Sequence, residues 1–187
     1  MVLPVGAATN YVSTTGSDVT GNGTDGNPWA SIDHADSQGL LSPGDVVIVQ
    51  PGTYTLANAK GVVLAVSAGT ATSNITYQTN GHVVINQTHG TGSYGFKVSV
   101  PGITLNGFEI SGAQHGIYIT GSANSKVNAG VIHDANQGGN AEGIFVNQSS
   151  NVTLTRNVIY NMHATAEAPW SPVGCGIRVS NSDNLKV

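Results

Sequence analysis

The 187-residue sequence predicts an all-β solenoid, in which the chain winds in stacked coils of short parallel strands. Four copies of one pattern support this prediction: a glycine is followed by an apolar, a variable and an apolar residue. A second triplet of alternating residues stands seven or eight residues after the first apolar residue. Only 9% of the residues are charged and 25 are glycine, which suits short strands separated by turns. The copies begin at Gly95, Gly116, Gly143 and Gly176.

Each copy alternates side chains with period two, which predicts a short strand with one buried face. Strands this short bury that face only when coils stack on one another, about 4.8 Å apart. Turn asparagines such as Asn157 are predicted at the corners, because asparagine tolerates left-handed backbone angles and bonds neighbouring backbone. The alternative is an antiparallel sandwich, although hairpin signals are few. The predicted interior columns are Phe96–Ile117–Ile144–Ile177, Val98–Ile119–Val146–Val179 and Ile110–Ile132–Ile159.

The first sixty residues have a different pattern of glycine, proline and polar residues, and this pattern predicts a cap at one end of the solenoid. A strand is predicted at residues 11–13, followed by a polar, glycine-rich loop over residues 16–27. A short helix is predicted over Pro28 to Ala35, with Asn27 as its N-cap. The apolar positions of this segment share one face, so we expect it to cover the apolar mouth and the unpaired strand edges of the first coil.

A chain of this length predicts one domain. Residues 1–9 are interpreted as a signal-peptide stub or a cloning remnant, and residues 10–187 as a single solenoid domain. Within it, residues 10–60 form the cap and first coil, and residues 61–187 form the remaining coils. The C-terminal end is uncapped, so we expect a fragment of a longer protein, pairing with a second copy, or fraying. End-to-end pairing predicts a homo-oligomer, and a concentration-independent monomer mass would count against it.

Charge and cysteine content exclude several classes of function. The net charge is −4, from 6 basic and 10 acidic residues, so the sequence has no nucleic-acid footprint. No apolar run is long enough to span a membrane. Cys175 is the single cysteine, which leaves neither an intrachain disulfide nor a cysteine-based metal site. The composition is typical of an all-β protein that is secreted or displayed at the cell surface, in an extracellular or periplasmic location.

The N-terminal segments and the later coils carry a family resemblance. The N-terminal segments are Tyr11-Val12-Ser13, Gly16-Ser17-Asp18, Gly21, Gly23-Thr24, Pro28-Trp29-Ala30-Ser31-Ile32, Ala35, Pro43-Gly44-Asp45 and Pro51-Gly52-Thr53-Tyr54. They resemble the cap of the pectate-lyase-like superfamily, closest to the family-nine pectate lyases and uncharacterised secreted β-helix proteins. The resemblance covers nearly the whole chain. It implies a single-stranded right-handed parallel β-helix with a short N-terminal capping helix, and a polysaccharide as the partner.

The same resemblance implies a chemistry. Characterised members are mostly polysaccharide lyases, epimerases and glycoside hydrolases. In the family-nine lyases, aspartates bind calcium and a lysine is the base, so the resemblance makes calcium a candidate cofactor. Calcium needs six to eight oxygen ligands. The acidic residues of the repeats are spread over different turns, so no ligand cluster, no metal site and no cofactor are identified; they are Glu109, Asp134, Glu142, Glu167 and Asp183.

Stacking of the copies brings outward side chains into columns as well. Two residues after each strand glycine stand Lys97, Tyr118, Phe145 and Arg178. Aromatic faces with flanking cations suit a sugar ring and its acidic groups, and arginine binds carboxylates in a bidentate fork. These four residues are candidate substrate-binding residues. The alternative is an ordinary outer β face, on which aromatic residues are favoured for propensity alone.

One residue before each strand glycine stands a second column, which contains Tyr94, His115 and Glu142. If the glycine bends the chain, His115 and Glu142 lie side by side and form a candidate proton-transfer pair. The alternative is a turn hydrogen bond or two solvated side chains. Trp170, in the longest loop between copies, is a further candidate substrate-binding residue, unless it packs down on the coil.

Two functions follow from these observations. The first is a secreted polysaccharide-active protein, with the features of a polysaccharide lyase-like enzyme on acidic glycans. The second is a non-catalytic module that binds glycans or takes part in assembly, as a fragment of a longer protein. The few basic residues and the missing calcium cluster weigh against the first function, and the activities of the characterised family members weigh for it.

Overall fold

Successive coils of the chain lie on one another, and each strand pairs with the equivalent strand of the next coil. The computed structural model describes residues 6–135, 140–163 and 174–187, and over these residues the chain forms sixteen strands and one short helix. The elements are β1 (Thr9–Val12), α1 (His34–Ser37), β2 (Val46–Val49), β3 (Gly52–Leu56), β4 (Val62–Leu64), β5 (Ile75–Thr79), β6 (Val83–Gln87), β7 (Tyr94–Val98), β8 (Ile103–Asn106), β9 (Glu109–Ser111), β10 (His115–Thr120), β11 (Lys126–Asn128), β12 (Val131–Ala135), β13 (Glu142–Asn147), β14 (Thr153–Thr155), β15 (Val158–Met162) and β16 (Cys175–Ser180).

The strands form three sheets. The first sheet has the order β1-β2-β5-β8-β11-β14, the second β4-β7-β10-β13-β16 and the third β3-β6-β9-β12-β15. Every pairing between these strands is parallel. One strand of each sheet per coil is the arrangement of a parallel β-helix, as predicted. Parallel pairing throughout these sheets excludes the antiparallel sandwich.

The predicted interior columns are confirmed by the strand register. Phe96 pairs with Ile117, Ile117 with Ile144, and Ile144 with Ile177. The Val98 column and the Ile110 column follow the same register on the second and third sheets. The middle members of these columns are almost completely buried. Val179, predicted to be interior, is 44% exposed, and Ile159 and Ile177 are only partly buried, because β16 and β15 are the last strands of their sheets among the described residues. Full burial of one such side chain contributes about 1.5–3 kcal/mol, so each coil is stabilised by the coils above and below it.

Left-handed residues recur at equivalent corners. Asn124 and Asn151 have φ values of 59° and 54°, and Ala129 and Arg156 have φ values of 52° and 56°. The left-handed residue predicted at Asn157 is therefore its neighbour, Arg156. Asn157 instead bridges coils with its side chain: its Oδ1 accepts a hydrogen bond from the Gly130 N–H, and its Nδ2 donates one to the Val127 carbonyl. The polar interruptions of the repeats are thus corners, as predicted.

The cap differs from the predicted helix over Pro28 to Ala35. The helix is a single turn, His34–Ser37. Trp29 pairs with Val12 in a parallel bridge, which requires extended backbone at the position where the helix was expected to begin. Asn27, the expected N-cap, pairs with Thr24 in an antiparallel bridge. Local helix signals are overruled here by pairing with a strand that is distant in sequence.

The cap nevertheless covers the first coil. Trp29, Ile32 and Ala35 belong to the buried core. Asp36 is 1% exposed, and its carboxylate accepts hydrogen bonds from the backbone N–H groups of residues 65–67, at 2.8–3.2 Å. These amides follow β4, which ends the second sheet, so they have no strand partner beyond it. The cap therefore satisfies backbone donors that a bare sheet edge would leave unpaired.

No helix among the described residues is long and apolar enough to cross a membrane. The division of the chain at residue 60, the nature of residues 1–9 and the pairing of copies through the last coil stay predictions.

The strand glycines have a packing reason. A Cβ at Gly116 would lie 2.4 Å from the Cγ2 of Ile132 and 2.6 Å from the carbonyl oxygen of Gly143. The same contact with a third-sheet isoleucine recurs in the neighbouring coils, between Gly95 and Ile110 and between Gly143 and Ile159; φ is not in the left-handed region at any of these glycines. The glycine thus makes room for the isoleucine of its own coil and for the backbone of the next.

Replacement of this glycine is expected to destabilise the protein. Because the added methyl group of Gly116→Ala meets backbone as well as a side chain, we expect the free energy of unfolding to fall by about 1–3 kcal/mol. Denaturant unfolding measures the loss. Gly26→Ala is the matched control, since a Cβ there meets nothing within 4 Å. Equal stability of Gly116→Ala and the control would show that the close contact relaxes without cost.

Candidate functional site

The candidate site lies on the outer face of the second sheet, where β7, β10, β13 and β16 run side by side. Tyr118 pairs in register with Lys97 on one side and with Phe145 on the other, and Phe145 pairs with Arg178. The predicted column therefore exists as a continuous row of side chains across four coils. Parallel register places these side chains together because equivalent residues of stacked coils point the same way.

The aromatic rings of this row stack on one another. The Tyr118 and Phe145 centroids are 5.0 Å apart with an interplanar angle of 22°, and the guanidinium of Arg178 lies 4.8 Å from the Phe145 centroid. Tyr94 extends the stack, with its centroid 5.5 Å from that of Tyr118 and the Lys97 ammonium 5.7 Å from its ring. From the sequence, Tyr94 was predicted to lie in the column of His115 and Glu142, but no binding role was predicted for it. Its position directly before a strand glycine was the feature that could have indicated such a role.

The stacking has a consequence for ligand binding. Tyr118 has Tyr94 on one side and Phe145 on the other, so neither of its faces is open to a sugar ring. The other face of Phe145 is covered by Arg178. The row therefore presents ring edges, hydroxyl groups and cationic groups to solvent, and not the aromatic faces that we expected. A ligand here would be held mainly by hydrogen bonds and charge.

His115 and Glu142 are brought together as a hydrogen-bonded pair. They are register partners on β10 and β13, and His115 Nδ1 lies 2.9 Å from Glu142 Oε2. Arg178 donates from Nη1 to the other oxygen, Oε1, at 2.7 Å. The Glu142 side chain is only 1% exposed, whereas that of His115 is 16% exposed. The carboxylate is thus a buried anchor between two outward-facing groups, and its contact with Arg178 joins the two predicted columns.

The electrostatics favour an ionised Glu142. Burial alone would raise the pKa of Glu142, but the hydrogen bonds from His115 and Arg178 outweigh burial and lower it. An ionised carboxylate only accepts hydrogen bonds, so the His115 nitrogen that faces it, Nδ1, carries a proton. When His115 is neutral, its Nε2 then has a free lone pair. This arrangement orients an imidazole for proton acceptance, with Glu142 as a positioning residue.

The remaining expectations concern Trp170 and metals. Trp170 lies outside the described residues.

Within residues 6–135, 140–163 and 174–187, no group of three or more His, Cys, Asp or Glu side chains is arranged to hold a metal ion. The described side chains therefore do not fit the calcium site that the resemblance implies. The substrate-binding and proton-transfer roles of the site residues stay predictions.

The three parallel sheets and their stacked interior columns define the class of parallel β-helix proteins. Residues 10–178 match the family described as "Pel9A-like, right handed beta helix region", and the chain belongs to this family. Among curated proteins, none matches the chain.

Solved structures of three lyases share the fold. A pectate lyase Pel9A has a TM-score of 0.69 at 20% identity, over 95% of this chain and 48% of that one. A rhamnogalacturonan lyase has a TM-score of 0.62 at 21% identity, over 94% and 51%. An alginate lyase from Paenibacillus sp. str. FPU-7 has a TM-score of 0.61 at 15% identity, over 95% and 64%. At these identities the likeness concerns the fold. The chain spans about half the length of the first two proteins.

Removal of the Glu142 charge is expected to weaken the fold above acidic pH. Glu142→Gln leaves Arg178 and His115 without their anionic partner, and we expect a loss of about 2 kcal/mol, discounted because Arg178 is partly exposed. Since the pKa of Glu142 is lowered, its contribution is complete above the ordinary value of 4.5 and is lost as pH falls through the folded-state pKa. Urea unfolding at neutral and acidic pH measures both effects.

Asp183→Asn is the control for this variant, because the Asp183 carboxylate is exposed and makes no side-chain hydrogen bond among the described residues. An equal loss in both variants, or a loss for Glu142→Gln that does not shrink in acid, would contradict the buried-anchor interpretation.

Proposed function

We propose that this protein is a secreted, polysaccharide-active protein that binds an acidic glycan across β7, β10, β13 and β16, and that His115 acts there as a proton acceptor. The observation that carries the proposal is the buried Glu142 carboxylate, which holds His115 on one oxygen and Arg178 on the other. Membership of a family with lyases among its structural neighbours supports the substrate class.

The chemistry of an acidic glycan matches the polar groups of this face. In β-elimination, a base removes the proton beside a uronate carboxylate, the glycosidic C–O bond breaks, and an unsaturated sugar forms. In the proposal, His115 Nε2 takes that proton. The solvent-facing edge of Arg178 would bind the carboxylate of the reacting uronate, since charge-assisted hydrogen bonds to it strengthen as negative charge develops. Lys97 stands three strands away in the row, so it would bind the carboxylate of another uronate of the polymer. The departing oxygen takes its proton from solvent.

The implied calcium ion does not enter this mechanism. The described carboxylates do not form a ligand cluster, and Glu142 has both oxygens occupied by protein groups. We therefore derive no step through calcium, and the assay below measures its effect directly.

A non-catalytic glycan-binding or assembly module is the second candidate function. The observation that favours it is the closed stack of Tyr94, Tyr118 and Phe145, whose faces are turned on one another and stabilise the sheet instead of a sugar. In this function, Glu142 is a structural anchor and His115 transfers no proton.

An elimination assay separates the two functions. The protein is incubated with pectate, alginate and chondroitin, with and without calcium, and unsaturated products are followed by their ultraviolet absorbance. If His115 is the base, His115→Asn lowers the turnover rate on the active polymer by about 100-fold or more, with little change in KM, because the carboxylate-binding groups remain.

His89→Asn is the matched control, because His89 is exposed and its side chain has no hydrogen bond among the described residues. Affinity electrophoresis with the same polymers measures binding separately. Glycan binding with no unsaturated product would favour the module, and full activity of His115→Asn would remove His115 from the mechanism.

A further inference from the structure

A second group of titratable side chains lies on the outside of the third sheet, away from the candidate site. Glu109 on β9 is held by two histidines: His82 Nε2 lies 2.8 Å from its Oε2, and His133 Nε2 lies 3.1 Å from its Oε1. His133 Nδ1 lies 2.8 Å from Asp134 Oδ2, and Asn161 Nδ2 donates to Asp134 Oδ1 at 3.0 Å. This hydrogen-bonded row runs from the coil of β6 to that of β15, across four successive coils.

Backbone geometry explains how adjacent residues share this face. Successive side chains of a strand normally point to opposite faces. Asp134 has a φ of 56°, which interrupts the alternation and returns its carboxylate to the side of His133. Asn161, one coil further on, has a φ of 53° and repeats the same corner. Tyr160 stacks on the His133 ring, with centroids 5.0 Å apart and an interplanar angle of 6°.

The two partners of His133 favour the doubly protonated form of its ring. A neutral imidazole has one N–H donor, whereas His133 has a carboxylate oxygen at hydrogen-bond distance from each ring nitrogen. Both contacts are hydrogen bonds only if the ring is the doubly protonated imidazolium, or if a carboxylate carries the proton. The carboxylates are poor places for it, because hydrogen bonds from His82 and His133 lower the pKa of Glu109, and those from His133 and Asn161 lower the pKa of Asp134.

We propose that the His133 imidazolium is a pH-sensitive latch that ties the coils of β9, β12 and β15 together on the outside of the third sheet. Loss of its proton leaves a ring lone pair facing a carboxylate and breaks one of the two contacts. The charged and titratable groups around it are Glu109 on β9, His82 beside Glu109, Asp134 on its own strand, Tyr160 on β15, and His163, whose charge acts on Asp134.

The sign of the pH dependence follows from the titration of His133. Burial alone would lower the pKa of His133, but its hydrogen bonds with Asp134 and Glu109 outweigh burial and raise the pKa above 6.5. A histidine with a raised folded-state pKa stabilises the fold fully below its unfolded value and loses that contribution as pH rises through the folded value. The latch is therefore closed below the ordinary histidine pKa of 6.5 and opens as pH rises through the raised folded-state pKa of His133.

Nitrogen NMR of the six histidines tests the protonation state directly. We expect His133 to lose its second ring proton above pH 6.5, and we assign its signal by its absence from His133→Asn. Asp134→Asn removes one anionic partner, so we expect the His133 titration to move to lower pH. A His133 titration at or below pH 6.5, or a titration unmoved by Asp134→Asn, would overturn the proposal.

Hydrogen exchange tests the mechanical consequence. After correction for the intrinsic pH dependence of exchange, we expect the amides of β9, β12 and β15 to lose about 10-fold more protection than those of β10 as pH rises through the His133 titration. His133→Asn should abolish this difference, and His89→Asn should keep it. Equal pH dependence in the wild type and His133→Asn would overturn the latch. If His133→Asn does not fold, NMR and exchange of the wild type still decide, since uniform exchange across both sheets contradicts the proposal.

Discussion

Parallel register between successive coils is the constraint on which the whole molecule depends. Equivalent strands pair residue for residue, so one backbone arrangement sets both the buried columns and the outward ones. A slip of one residue would turn every apolar side chain of a strand outward. The same register creates the row around Tyr118 and places His115 beside Glu142, so the candidate site inherits its geometry from the packing of the core.

The sequence was sufficient for the solenoid because its determinants are local and repeated. Each copy carries the alternation that buries Ile117 or Ile144, and stacking needs only that copies be alike. The cap was less predictable, since Trp29 follows strong helix-start signals but pairs with Val12, seventeen residues earlier in the chain. The role of the strand glycines was also missed. From the sequence, a glycine was expected to bend its own strand, whereas the contact of Gly116 with Ile132 joins two sheets and depends on the folded structure.

Side-chain directions limited what could be predicted of the candidate site. Register alone placed Lys97, Tyr118, Phe145 and Arg178 in one row, but the rotamers that turn the rings onto one another are set by their neighbours. The bond from Arg178 to Glu142 crosses between two columns that the sequence treats separately. The row at Glu109 was harder still to foresee, because it depends on a left-handed residue inside a strand.

Each glycine–isoleucine contact joins the second and third sheets of a single coil, as at Gly95 with Ile110 and at Gly143 with Ile159. Each of these turns, and the turn of Gly116 and Ile132 between them, therefore contains its own closing contact and does not borrow it from a distant part of the chain. Duplication or deletion of one complete repeat in the gene would leave the closure of all other turns unchanged. Lineages of such proteins can thus change in length by whole coils, while the segments that connect the coils diverge separately.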